Sequence, residues 1–164
     1  MTKINKKTIR ASFIDYSNKG HYFITIKTFK NQHFFGKIKD GKMHLNLAAR
    51  IIEKAIHKTV SEIPELKCQH YIIMPDHVHF IFELSENMEI QIKSSSKIPS
   101  PKGVQICIQR FKSMSTNIYI KHVKEGTLPA FQHKIWHPNY YERLIRTESE
   151  LKNVINYIKH NPGK

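Results

Sequence analysis

Apolar and polar positions alternate along His21-Tyr22-Phe23-Ile24-Thr25-Ile26-Lys27-Thr28-Phe29, and β-branched and aromatic residues dominate the run, so it reads as a strand. Phe34-Phe35-Gly36-Lys37-Ile38 continues the pattern up to the turn signal Asp40-Gly41. The period then changes. Asn46 caps a predicted helix in which Leu47, Ala48, Ile51, Ile52, Ala55, Ile56 and Val60 recur at three- and four-residue spacing, ending before Pro64. Two further strands, Lys67 to Met74 and His77 to Leu84, join at Pro75-Asp76. In the second, Val78, Phe80, Phe82 and Leu84 share one face, and His77, His79, Ile81 and Glu83 share the other.

Periodicity fades over residues 85 to 102, where Lys93-Ser94-Ser95-Ser96-Lys97-Ile98-Pro99-Ser100-Pro101 reads as a flexible excursion. From Gly103 to about Val123 the stripe Val104, Ile108, Phe111, Ser115 and Ile118 predicts a second helix, with Arg110, Lys112 and Lys121 off the stripe. After Trp136-His137-Pro138-Asn139, the run Tyr140 to Arg146 suits a short last strand. Thr147 and Glu150 then form a capping box, and Leu151, Val154, Ile155 and Ile158 form the apolar stripe of a last helix ended by Asn161-Pro162-Gly163. No internal repeat is present.

The chain of 164 residues fits one domain, residues 1 to 164, interrupted but not divided by the excursion at about 85 to 102. With 40% apolar residues it can build a core, which excludes a disordered protein. Runs such as Tyr71-Ile72-Ile73-Met74 are too short to span a bilayer, so no membrane association is expected. Met1-Thr2-Lys3-Ile4-Asn5-Lys6-Lys7 is charged with no apolar core or cleavage site behind it, which places the protein in the cytoplasm. Cys68 and Cys107 are too few for a disulfide scaffold and read as packing residues. The chain is expected to act as a monomer or homodimer.

Charge narrows the partners. The net charge is +14, and residues 1 to 60 hold 13 basic against 3 acidic side chains. Such an excess favours a polyanion and attracts nucleic acid through counterion release.

His77 and His79 on one strand face are spaced so that both imidazoles can reach a single divalent cation, or else hydrogen-bond at a sheet surface. The pair alone leaves both readings open. On the last helix, Tyr157 and Asn161 are four residues apart and share one edge. A boundary tyrosine and a helix-ending amide are the bland alternatives.

Taken together, these residues resemble a known family. Tyr71-Ile72-Ile73-Met74-Pro75-Asp76-His77-Val78-His79-Phe80-Ile81 is similar to the His-hydrophobe-His (HUH) motif of single-tyrosine transposases. Ile135-Trp136, then Asn139-Tyr140-Tyr141-Glu142-Arg143-Leu144-Ile145-Arg146, then Tyr157-Ile158-Lys159-His160-Asn161-Pro162 resembles the REP-associated tyrosine transposases. Gly20-His21-Tyr22-Phe23-Ile24-Thr25, Phe35-Gly36 and Arg110-Phe111-Lys112-Ser113 extend the likeness over nearly the whole chain, while the excursion from Ser85 to about Lys102 matches no block of it.

The resemblance implies an α+β, ferredoxin-like antiparallel sheet of the HUH-endonuclease type, with the histidines on a central strand and the tyrosine helix packed beside it. It implies that His77 and His79 bind Mg²⁺ or Mn²⁺ and that Tyr157 is the nucleophile. Asn161 stands where related insertion-sequence transposases carry a glutamine as third metal ligand, a departure to a shorter side chain. The implied reaction is cleavage and rejoining of single-stranded or hairpin DNA through a 5′-phosphotyrosine. The chemistry is sound on its own terms, because a cation polarises the phosphodiester and a tyrosine hydroxyl displaces a 3′-oxygen without loss of bond energy.

Tyr140 and Tyr141 are second candidates for the nucleophile, although packing or base stacking, with Trp136 nearby, explains them more simply. Lys112, Arg143 and Arg146 are candidate DNA-phosphate contacts, the alternative being a solvated face. Two other functions compete: a nucleic-acid-binding protein without catalysis, and a small metal enzyme on a β-barrel. The helical segments and only six glycines argue against a barrel.

Overall fold

A computed structural model describes residues 19–85 and 103–161. The excursion predicted at 85 to 102 therefore lies, past Ser85, outside the described residues. The elements in chain order are β1 (Gly20–Lys27), a 3-10 turn (Phe29–Asn31), β2 (Gly36–Lys39), β3 (Lys42–Leu45), α1 (Leu47–Ser61), β4 (Leu66–Ile73), β5 (His77–Leu84), α2 (Val104–Lys124), β6 (Tyr141–Ile145) and α3 (Glu148–His160).

Four strands form one antiparallel sheet in the order β4-β5-β1-β6, and β2 pairs with β3 in a separate two-stranded ribbon. With the ribbon set aside, the succession β1, α1, β4, β5, α2, β6 places β5 between β1 and β4, which is the ferredoxin-like arrangement. Among the described residues the sheet is open, and no barrel forms.

Alternation along the central strands gives the sheet two apolar faces. Tyr22, Ile24 and Ile26 of β1 and Val78, Phe80 and Phe82 of β5 are buried in one core with Ala48, Ile52 and Ala55 of α1 and Cys107, Ile108 and Phe111 of α2. On the opposite face Ile81 and Ile145 pack with Val154 and Ile158 of α3, flanked by Phe23 and Ile72. A sheet covered on both sides explains why β5 is nearly continuous in apolar residues, with only His77, His79 and Glu83 interrupting it.

Local chemistry sets the helix ends. The Asn46 side chain accepts a hydrogen bond from the Ala49 N–H at 3.0 Å, and Thr147 Oγ1 accepts one from the Glu150 N–H at 3.1 Å. On α2, Ser115 is buried yet satisfied: its hydroxyl donates to Phe111 O at 2.7 Å and accepts from Trp136 Nε1 at 2.8 Å. Trp136 is therefore a core residue, 5.3 Å from both the Phe35 and Phe111 rings, and is no exposed stacking platform. Beside it on α2 the buried residue is Tyr119, while Ile118, placed on the stripe by sequence, is half-buried.

Three boundaries differ from the sequence reading. The first strand stops at Lys27, because the Thr28 N–H donates to Asp76 O and the chain turns through Lys30 and Asn31 at positive φ. Lys42–Leu45, too short and polar to stand out, pairs with Gly36–Lys39 across a turn in which Asp40 and Gly41 both have positive φ. The strand predicted from Lys67 to Met74 is irregular, its register shifting between Cys68 and His70.

Candidate functional site

The α3 face of the sheet carries both histidines of β5 together with Thr25 and Tyr141. Register lines up Ile72, His79, Thr25 and Tyr141 across β4, β5, β1 and β6, and His77 lies opposite Lys27 in the outer row. The side chains of paired residues lie on the same face of a sheet, so His77, His79, Thr25 and Tyr141 share one surface.

The two imidazoles meet through their outer nitrogens. His77 Nε2 and His79 Nε2 are 3.1 Å apart, and both inner nitrogens are tied down. His77 Nδ1 donates to Asp76 Oδ1 at 2.6 Å, while His79 Nδ1 and Thr25 Oγ1 share a hydrogen bond of 2.8 Å. With both rings neutral, one proton assignment satisfies all three contacts: Thr25 O–H to His79 Nδ1, His79 Nε2–H to His77 Nε2, and His77 Nδ1–H to Asp76.

This donor set fits a divalent cation. Two Nε2 atoms converge, and each ring has a partner on its far nitrogen, as metal-binding histidines ordinarily do. For both Nε2 lone pairs to face a cation, the His79 proton moves to Nδ1 and the Thr25 oxygen accepts it. His79 is buried, and burial together with the neighbouring His77 lowers its pKa to about 4, against an opposing pull from Asp76. Its ring is neutral at physiological pH and free to act as a ligand. Among the described residues, no group of three or more His, Cys, Asp and Glu side chains comes together to hold a metal.

Tyr157 stands beside this pair. Its ring centroid is 5.5 Å from that of His79, edge to face, and 6.1 Å from Phe23, which itself stacks on His79 at 5.3 Å. The side chain is 48% exposed, and among the described residues its hydroxyl has no hydrogen-bond partner, so the phenol is accessible for chemistry. Asn161 caps the same helix one turn on, and its N–H donates to Tyr157 O at 3.1 Å. Spacing on α3 thus leaves Val154 and Ile158 buried while Tyr157 faces His79.

The other candidates divide. Tyr141, 54% exposed, lies on the site face and meets Phe23 edge-on at 6.4 Å. Tyr140 packs against the opposite core beneath the Lys112 ammonium, 5.2 Å from its centroid. Lys112 also donates to His137 O and Pro138 O at 2.8 and 3.1 Å, which makes it a brace of the loop before β6. Arg143 lies opposite Phe23 in register and pairs with Glu150 at 3.1 Å. Arg146 is exposed beside a shallow cavity of about 170 Å³ that His21, Thr147 and Leu151 also line. Sequence reasoning missed Thr25 and Phe23 as parts of the site, because nothing local to β1 reveals which residues of β5 it will face.

The α+β fold, a ferredoxin-like antiparallel sheet with helices packed on it, is similar to that of solved transposases. Comparison with known proteins agrees. A REP-associated tyrosine transposase solved bound to a REP hairpin superposes with a TM-score of 0.57 at 19% identity, over 90% of this chain and 68% of that one. A crystal structure described as a "putative transposase" from Deinococcus radiodurans gives 0.51 at 14% identity, over 89% and 93%. In sequence, a Haemophilus influenzae protein described as "Putative REP-associated tyrosine transposase" is 27% identical over 107 residues, which are 59% of this chain and 53% of that protein. An uncharacterized protein of the same organism is 26% identical over 163 residues, 96% of this chain and 88% of its own length. No family model matches. The chain is a distant homologue of the REP-associated tyrosine transposases. No helix among the described residues is long and apolar enough to cross a membrane.

Proposed function

We infer that this chain is a metal-dependent tyrosine nuclease and strand transferase that cuts and rejoins single-stranded DNA or the unpaired flank of a DNA hairpin. The observation that carries the reading is the placement of the exposed Tyr157 ring 5.5 Å from His79, whose Nε2 converges with that of His77. His77 and His79 would hold Mg²⁺ or Mn²⁺, with Asn161 the further ligand available on the tyrosine helix. The bound cation would supply Lewis-acid polarisation of the scissile phosphate.

The chain's own groups do the rest. Asp76 and Thr25 fix the two rings so that their Nε2 atoms face outward together. The Tyr157 oxygen attacks phosphorus and loses its proton to solvent. The P–O3′ bond breaks, leaving a 5′-phosphotyrosine and a 3′-oxygen that takes up a proton. Attack by a 3′-hydroxyl reverses the step, so joining needs no nucleoside triphosphate. An open surface of this kind accepts a flexible single strand, whereas a duplex would hold its phosphates away. DNA in the cytoplasm is the expected partner, met by a monomer or homodimer.

The test is incubation of the protein with a tailed DNA hairpin and Mn²⁺, followed by denaturing electrophoresis. A DNA adduct that survives denaturation is expected. Tyr157→Phe should abolish it, and Tyr140→Phe and Tyr141→Phe should retain it. An adduct that maps by mass spectrometry to Tyr140 or Tyr141, or one formed by Tyr157→Phe at the wild-type rate, overturns the assignment.

A further inference from the structure

The ribbon of β2 and β3 has no place in the cleavage chemistry, and its two faces differ sharply. Register pairs Lys37 with His44 and Lys39 with Lys42 on one face, and Ile38 with Met43 and Gly36 with Leu45 on the other. All four residues of the first face are exposed. Among the described residues, Lys37, Lys39 and Lys42 have no ion-pair partner, and Asp40 in the turn is the ribbon's one carboxylate.

That arrangement disfavours the isolated ribbon. Like charges directly opposite each other destabilise a strand pair, and a two-stranded ribbon is marginal to begin with. Yet its geometry is tightly fixed. Gly36 sits at φ +130°, where an added Cβ would lie 2.1 Å from His44 O, and Asp40 and Gly41 make the turn at positive φ. The fold thus holds three lysines on one face of the ribbon, where no ion pair among the described residues neutralises them.

The ribbon is also anchored at the catalytic end of the sheet. The Phe35 N–H, just before β2, donates to Pro75 O at 3.1 Å, and the Thr28 N–H donates to Asp76 O at 2.8 Å. These bonds grip the turn that delivers Asp76 and His77. On the far side, Met43 and Leu45 line a cavity of about 210 Å³ with Tyr71, Ile72 and Ile73, at the same end of β4.

We propose that the basic face of the β2–β3 ribbon binds the phosphate backbone of the duplex stem of a DNA hairpin whose unpaired flank occupies the His77–His79–Tyr157 site. This rests on the proposed reaction and adds where the double-helical part of its substrate lies. Lysines on a two-stranded ribbon suit a duplex, because its grooves admit such a ribbon and its regular phosphates match a fixed row of cations. A row of lysines contacts phosphate without reading bases, so the contribution is independent of stem sequence.

The experiment compares two probes in EDTA: a hairpin oligonucleotide with an unpaired tail, and the same tail alone. Against the wild-type full chain stand Lys37→Gln/Lys39→Gln/Lys42→Gln and the charge-keeping Lys37→Arg/Lys39→Arg/Lys42→Arg. At about 0.15 M salt the glutamine variant should bind the hairpin roughly tenfold or more weakly, with a salt slope lower by about 2 to 3, as loss of three phosphate contacts requires. Its affinity for the tail alone should stay within about twofold, and the arginine variant should bind both probes as wild type does. Equal weakening on both probes, no weakening on either, or an arginine variant as weak as the glutamine one overturns the proposal. Adduct formation with Mn²⁺ is scored in parallel on the wild type. Stem-selective binding without an adduct sinks the nuclease reading and leaves the ribbon standing, whereas an adduct without stem-selective loss in the glutamine variant sinks the ribbon alone.

Discussion

Arg143 Nη2 lies 3.1 Å from Glu150 Oε1, a contact that ties the edge strand β6 to the first turn of the helix carrying Tyr157. The same carboxylate accepts the Arg146 N–H at 3.0 Å, and the Glu150 N–H is held by Thr147. Glu150 thus joins strand, connector and helix at one point, two turns from the nucleophile candidate. The position of Tyr157 over His79 depends on where α3 begins.

Thr147→Ala should therefore destabilise the protein by about 1 kcal/mol, the usual worth of a lost N-cap. Arg143→Ala should remove less than about 1 kcal/mol, because its guanidinium is half exposed and water screens the pair. Urea unfolding of both variants checks the order. A larger loss for Arg143→Ala than for Thr147→Ala contradicts the argument that capping, and not the ion pair, fixes the helix start.

Thr25→Val keeps the shape of the side chain and deletes the hydroxyl that holds His79 Nδ1 at 2.8 Å. Asp76→Asn removes the charge that accepts from His77 Nδ1 at 2.6 Å. Partners of this kind ordinarily contribute about 10- to 100-fold to metal affinity. Calorimetric titration with Mn²⁺ should show weakening in that range for each variant, with DNA affinity in EDTA unchanged. Wild-type Mn²⁺ affinity in both variants would falsify the roles given to Thr25 and Asp76.

Both cysteines should be poor nucleophiles. Burial pushes the Cys68 and Cys107 thiols up to about 12, so very little thiolate is present at pH 8. The native protein should react with iodoacetamide far more slowly than the same chain in urea, as thiol counting against time will show. The linkage has a definite sign: a thiol whose pKa is raised by folding stabilises fully below its ordinary value near 9, and that contribution is lost as pH climbs from 9 toward 12. Rapid native-state alkylation at pH 8 defeats the claim.

The strands and helices of the main sheet were legible because each carries a clear period, and the faces of β5 were readable residue by residue. The order of the strands was not. Alternation says that Thr25 and His79 each face one side of their own strand, but the hydrogen bond between them spans 54 positions and depends on the pairing of β1 with β5. Asp76 adjoins His77 and is visible in sequence, though its role appears only with the turn geometry. β3 escaped notice because Lys-Met-His-Leu has neither the length nor the β-branched content of a strand, and its pairing is fixed by the Asp40-Gly41 turn. Lys112 shows what composition leaves out: it offers any lysine of a basic chain as a phosphate contact, and only the fold shows that this one also donates to the His137 and Pro138 carbonyls.

The two histidines differ in burial, and the difference predicts how their variants will separate chemistry from stability. His79 is 5% exposed, wedged between the Phe23 and Tyr157 rings, whereas the His77 side chain keeps about a fifth of its surface in solvent. His79→Ala therefore opens a hole in packed surroundings and should lower stability by about 1 to 3 kcal/mol, while His77→Ala should change it by less than about 1 kcal/mol. Both should abolish Mn²⁺-dependent cleavage and keep most of the affinity for DNA, since the basic surface supplies binding and the site supplies chemistry. His77→Ala is thus the clean test: urea unfolding near that of wild type, DNA binding near that of wild type, and no adduct. Adduct formation at the wild-type rate by the folded His77→Ala protein removes His77 from the reaction, and the convergence of the two Nε2 atoms would then be a structural contact only.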